Sequence, residues 1–250
     1  MKNTNQYDEI LSQKYNEVNY DVNYPHRFMI YDTWLEEVGD IKGKKILDLA
    51  CGAGMSSRAL AKLGAEVVGV DISELMIIEA RKEEKTQPLG VRYLVGDVSN
   101  LVLYSEEPFD MVAAAFLLHY ADSREVLDRM VQNIAMNLRA RGEFVSLNIN
   151  PAHPIIAHEP HVSHSSAWLD EPCKDGSRLE AILWTKEGEE ICRLVNFYWS
   201  KETYEESFKK AGFEKIEWIE LRMPEECKGE KDWEHLEKTN YLIIIKATKS

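Results

Sequence analysis

An α/β fold with a mostly parallel central sheet is what this sequence predicts, on three observations. Short strand-like runs alternate with helical stretches between residues 44 and 149. The first of those runs passes through a glycine-containing turn straight into a helix. The chain has 250 residues, 44% of them hydrophobic, long enough for one large α/β core or two smaller ones burying roughly 70% of the extended surface.

The elements follow in order. Pro25 to Val38 reads as a helix, with Phe28, Tyr31, Leu35 and Val38 at three- and four-residue spacing. That stripe is either a packing face or the inside of a lid over a pocket. Lys45 to Ala50 is a short buried strand, Cys51 to Gly54 a turn, and Ser57 to Leu63 a helix ended by Gly64. Glu66 to Val70 and Val91 to Val95 are the next two strands, with a helix from Glu74 to Lys85 between them. Asp110 to Ala115 and Glu143 to Ile149 flank a long helix from Arg124 to Leu138. Strands separated by helices at this spacing give a parallel sheet covered on both faces.

The rhythm breaks after Asn150, where residues 151 to 180 hold four prolines, four histidines and little periodicity. Glu180 to Trp184 and Ile191 to Tyr198 then read as strands turning at Lys186 to Glu189, so this segment is an insertion or cap. Lys201 to Ala211 is a helix with Gly212 as its C-cap. Phe213 to Leu221 and Tyr241 to Ala247 are two closing strands, and the charged stretch between them, Met223 to Thr239, reads as a solvated loop with a short helix. The expected organisation is an N-terminal helical lid (1–40), a cofactor-binding core (41–150), a substrate-side cap (151–200) and a C-terminal completion of the sheet (201–250).

Composition narrows the function. Forty-three acidic residues against thirty Lys and Arg give a net charge of −13, a surface that repels nucleic acid and anionic bilayers. No apolar run is long enough to cross a bilayer, and the opening MKNTNQYDEI lacks the apolar core of a secretory signal. A cytoplasmic location, no nucleic-acid partner and no membrane partner are the expectations, for a monomer or homodimer. Four cysteines without a CxxC pair suggest neither a zinc knuckle nor a dithiol redox site.

The sharpest signal is KKILDLACGAGMSSRALAKLGAEVVGVDIS, Lys44 to Ser73. Gly52 and Gly54 let the backbone curl tightly and a ligand approach closely. The following helix points free N–H groups at that ligand. Asp71, nineteen residues after Gly52, ends the next strand at the depth where a carboxylate accepts from ribose hydroxyls. A dinucleotide fingerprint would need a third glycine where this chain has Ser57.

Ile46 to Gly54 resembles the first motif of class I S-adenosylmethionine-dependent methyltransferases, in which an acidic residue precedes a GxG turn. Val67 to Ser73, Gly96-Asp97-Val98, Phe109 to Tyr120 and Leu138 to Ile149 are similar to the later motifs in order, with Ala50 where many members have glycine. The resemblance implies a Rossmann-like, seven-stranded, mostly parallel sheet with an antiparallel closing strand, and S-adenosylmethionine as cofactor. It further implies that Asp48 orders the turn and helps hold the methionine amino group, directly or through water. Ala50 and Gly52 would offer backbone contacts to that end. Asp71 would bind the ribose, Ile72 flank the adenine, Asp97 accept from the adenine amino group, and Val98 supply a backbone N–H. Ala115 and Phe116 would contact the methionine portion.

His119 follows the fourth strand, near where the methyl should sit, and is the candidate base. A polar role toward substrate, a contact behind the cofactor pocket and simple packing all stay open for it. His153, His158, His161 and His164 are pocket wall, loop residues or a metal site. The prolines among them break regular ligand spacing, so no metal is assigned and His153 is taken as a substrate-side residue. The N-terminus, with Tyr7-Asp8, Tyr15-Asn16 and Tyr24-Pro25-His26-Arg27, resembles small-molecule methyltransferases of the toxoflavin-synthase type. That resemblance implies that Tyr7, Tyr15 and Arg27 approach cofactor or substrate. Trp199 is either acceptor-pocket wall or core. The expected reaction is methyl transfer to an N or O atom of a small-molecule acceptor. A protein or peptide acceptor and a catalytically silent partner subunit are the alternatives.

Overall fold

The computed structural model describes residues 25–159, 164–185, 188–222, 229 and 231–250, with residues 25–30 and 231–233 as backbone alone. In chain order its elements are α1 (Pro25–Val38), β1 (Lys45–Leu49), α2 (Met55–Lys62), β2 (Glu66–Asp71), α3 (Glu74–Thr86), β3 (Arg92–Val95), β4 (Phe109–Ala115) and a 3-10 turn at Leu118–Tyr120. They continue as α4 (Arg124–Asn137), β5 (Leu138–Ile149), β6 (His164–Trp168), β7 (Arg178–Trp184), β8 (Glu190–Phe197), α5 (Lys201–Lys210), β9 (Phe213–Glu220), α6 (Lys231–Thr239) and β10 (Leu242–Lys249).

Seven strands form one sheet in the order β3-β2-β1-β4-β5-β10-β9. The neighbouring pairs among β1 to β5 are parallel, and β10 runs antiparallel between β5 and the edge strand β9. The chain builds outward from β1 to β3, then returns to lay β4 against the other side of β1. That reversal opens a crevice at the carboxyl ends of β1 and β4, where open α/β sheets bind their ligands.

Strand alternation divides the core between the two sheet faces. Leu47, Leu49, Val112 and Ala114 point to one face and pack with Leu127, Val131 and Ile134 of α4 and Phe208 of α5. Ile46, Met111 and Ala113 point to the other and meet Trp34 of α1, Leu60 of α2, Ile77 of α3 and Leu236 of α6. The α1 stripe at Leu35 and Val38 packs against this second cluster. Ser73, Ser123 and Ser200 cap α3, α4 and α5 by accepting from the backbone N–H three residues on.

Three differences from the sequence reading have physical causes. β5 begins at Leu138 rather than Glu143, because Leu138 already pairs with Phe109 across a bulge and Arg141 turns through a positive φ of 60°. β6 was not visible as a strand: its buried positions are Ser165 and Ser166, whose hydroxyls are satisfied locally, so it has no apolar alternation. The cap is therefore a separate three-stranded antiparallel sheet, β6-β7-β8, rather than a hairpin. No helix among the described residues is long and apolar enough to cross a membrane.

Candidate active site

The site grows from β1. Asp48 points to the face covered by α2 and is fully buried. Ser56 and Ser57 donate to its Oδ2 at 2.6 and 2.5 Å, whereas Oδ1 has no partner among the described residues. Burial lifts its pKa to about 7; the two serine hydroxyls pull it back and the nearby Asp71 pushes it up further. A buried carboxylate oxygen left unpaired costs stability unless a donor arrives from outside the chain.

The turn after β1 is shaped for such an arrival. Ala50, Gly52 and Gly54 all have positive φ, at 57°, 54° and 91°. A Cβ built on Gly52 meets nothing within 4 Å, so the space beside it is open; one on Gly54 would strike the Tyr93 hydroxyl. Gly52 is thus a glycine of the cradle and Gly54 one of packing. Ser57 fills the position where a dinucleotide site has its third glycine, and the close approach of helix to sheet is made instead by Gly69 on β2. A Cβ at Gly69 would lie 2.7 Å from Ser57 Oγ.

Asp71 ties the end of β2 to the turn. Its Oδ2 accepts from Gly52 N at 2.9 Å and its Oδ1 from Ser73 N at 2.8 Å, and burial raises its pKa. Each oxygen keeps lone-pair capacity for a further donor. Ile72 beside it is 38% exposed. Past β3, half-buried Asp97 accepts from Ser99 N at 2.8 Å and Val98 is buried.

On the other side of the crevice, Ala115 ends β4 and Phe116 adopts a positive φ of 63°. A bulky residue pays roughly 1–2 kcal/mol for that conformation, and the N–H of Phe116 holds it by donating to Leu147 O at 2.9 Å. The chain then enters the 3-10 turn carrying His119, which is buried beside Phe116 and Tyr120. His119 Nδ1 lies 2.9 Å from Asn148 Oδ1. The Asn148 amide nitrogen donates to Ile149 O and the Tyr204 hydroxyl, at 3.2 and 3.4 Å. Asn148 Oδ1 is therefore an acceptor, His119 donates from Nδ1, and the lone pair of the neutral ring sits on Nε2. Burial pushes the His119 pKa down to about 4, against the smaller opposing effect of Asn148.

The comparisons with known proteins meet this geometry on the same segment. Residues 46–142, from β1 into β5, match the family model of a methyltransferase domain. Over those residues the chain carries a methyltransferase domain. A ubiquinone biosynthesis O-methyltransferase of Coxiella burnetii is 34% identical over 117 residues, 47% of this chain and 48% of that protein. The chain thus spans about half the length of the curated relatives it matches. The CcbJ methyltransferase of Streptomyces caelestis superposes with a TM-score of 0.66 at 21% identity, covering 88% of this chain and 89% of its own. The PH0226 protein of Pyrococcus horikoshii gives 0.66 at 23%, covering 92% and 93%. These structural likenesses show the fold.

The methyltransferase domain brings Asp48, Ala50, Gly52, Asp71, Ile72, Asp97, Val98, Ala115, Phe116 and His119 to the carboxyl ends of β1 to β4 or the turns that follow them. Other expected residues stand elsewhere. Tyr7 and Tyr15 lie outside the described residues, and Arg27 is described only as backbone on α1. His153 is exposed in the turn after β5, its N–H donating to Asn150 O at 3.0 Å. Trp199 packs in the core cluster at 5% exposure and donates its indole N–H to Ala121 O at 3.0 Å, so it braces the His119 turn from behind. His158 stacks on Trp184 and His164 on Tyr241. Sequence reasoning missed Ser56, Asn148 and Tyr204, and saw Ser57 only as a missing glycine. A hydroxyl pair eight and nine residues after a strand carboxylate is a signal that could have found the serines; nothing in the sequence ties Asn148 to His119.

Proposed function

We propose that this chain transfers the methyl group of S-adenosylmethionine to an O or N atom of a small-molecule acceptor. The observation that carries the proposal is the unpaired, buried Asp48 Oδ1 beneath a turn whose Gly52 faces open space. That donor-seeking oxygen suits the cationic amino group of the cofactor's methionine end. Asp71 would take the ribose hydroxyls, Ile72 would flank the adenine, Val98 would offer the ring a backbone N–H, and Asp97 would accept from the adenine amino group. When bound, the cofactor would supply an activated methyl on a sulfonium, with the neutral thioether as leaving group.

The chain's own residues orient and deprotonate. His119 is neutral at physiological pH with its Nε2 lone pair available, so it can take the proton from an acceptor O–H while that oxygen's electron pair forms the new bond to the methyl carbon. The proton would then rest on His119 Nε2, which balances the charge. The relatives named as O-methyltransferases support an oxygen acceptor. The strongly negative chain argues against nucleic acid. The test is transfer of radiolabelled methyl to a panel of small phenols and amines: extractable labelled product supports the reading. Label in no small molecule, or only in added peptides, refutes it.

A further inference from the structure

The cap sheet presents one face to the methyltransferase core. Cross-strand pairing groups Trp168, Leu179 and Asn196 in one row, Ser166, Ala181 and Leu194 in the next, and His164, Leu183 and Cys192 in the third. Ser166, Leu179, Cys192, Leu194 and Asn196 on this face are buried, whereas the opposite face carries the ion pairs of Arg193 with Glu180 and Glu190. β8 packs on the 3-10 turn that holds His119. Three residues past Asn196, Trp199 fastens to Ala121, two residues past His119. Asn196 therefore sits where the cap meets the turn.

Asn196 is 2% exposed, and its amide oxygen is buried with no hydrogen-bond partner. His119 engages Asn148 through Nδ1, which puts the lone pair of its neutral ring on Nε2. A buried acceptor without a donor and the Nε2 lone pair of His119, on the two elements that meet at this junction, suit donors from a ligand. We propose that Asn196 is a specificity-determining residue whose oxygen accepts a hydrogen bond from a second O–H or N–H of the methyl acceptor. The acceptor is then a small molecule with two protic groups: one, the nucleophile, gives its proton to His119, and the other is read by Asn196. This rests on the methyl-transfer reading and adds the acceptor's chemical class.

The test uses the full chain loaded with S-adenosylhomocysteine and binding of simple probes followed by NMR or calorimetry. Two-donor probes are 1,2-dihydroxybenzene, 1,3-dihydroxybenzene and 2-aminophenol; one-donor probes are phenol and methoxybenzenes bearing a single hydroxyl. The wild type is expected to favour its best two-donor probe by about tenfold, the cost of leaving a buried acceptor unpaired. Asn196→Leu should erase that preference while keeping homocysteine-cofactor affinity and leaving Tm unchanged or higher. Asn196→Ser, which withdraws the oxygen with less change in polarity, repeats the test if the leucine variant does not fold. Equal binding of both probe classes, no binding of any probe, or a preference that survives loss of the amide would overturn the proposal. Failure of the wild type to bind S-adenosylhomocysteine would instead strike the methyl-transfer reading itself.

Discussion

Acidification should weaken cofactor binding through Asp48, and the slope follows from its burial. Its carboxyl titrates at about 7 in the folded chain because burial disfavours the charge. A cationic amino group binds the carboxylate and not the acid, so below that pKa binding must first remove a proton. Between pH 7.5 and pH 5.5 the protonated fraction rises until affinity falls about 25-fold, or about 2 kcal/mol. Calorimetry of S-adenosylhomocysteine binding in two buffers of different ionisation enthalpy would count the released proton directly. Asp48→Asn should flatten the dependence. An affinity that is level between pH 5.5 and 7.5, or a slope that persists in Asp48→Asn, would refute the reasoning.

Other expectations follow from the same structure. Gly69→Ala drives a Cβ to within 2.7 Å of Ser57 Oγ and 2.8 Å of the Tyr93 ring, and should cost about 1–3 kcal/mol in denaturant unfolding while weakening cofactor affinity through displaced α2. His119→Gln should lower kcat about 100-fold with cofactor affinity kept; in the wild type the rate should show no loss from His119 protonation between pH 8 and 6, because its pKa is about 4. For stability the sign is the ordinary one for a depressed histidine: the folded state prefers the neutral ring, so stability is intact above about 6.5 and falls as pH drops toward 4. Half-buried His164, with its pKa lowered to about 4, adds to the same loss, measurable as a falling Tm across that window. Trp199→Ala should cost about 3–5 kcal/mol and release the His119 turn, seen as a lower Tm together with reduced turnover.

The core was legible because its signals are local and redundant. Alternating apolar strand positions such as Ile46 and Leu47, Gly52 in the turn and Asp71 at the strand end each reflect a backbone or burial demand met within a few residues. β6 was not, because buried serines satisfied by Pro154, Ile156 and Trp184 look like loop residues when read alone. Trp199 shows the same limit: the sequence leaves it as pocket wall or core, and only packing decides for core, with its indole reaching back 78 residues to Ala121. The partnership of His119 with Asn148 spans 29 residues, and only the sheet brings them together. Pairings set by tertiary packing leave no spacing pattern to read.

The central claim is that the turn between β1 and α2 is a seat for S-adenosylmethionine. Isothermal titration of the full chain with S-adenosylmethionine and S-adenosylhomocysteine, repeated on Asp71→Ala, addresses it most directly. Saturable one-to-one binding of both by the wild type, lost or strongly weakened in folded Asp71→Ala, is the predicted result. A correctly folded wild type that binds neither, or an Asp71→Ala variant that binds both as well as the wild type, would contradict the account.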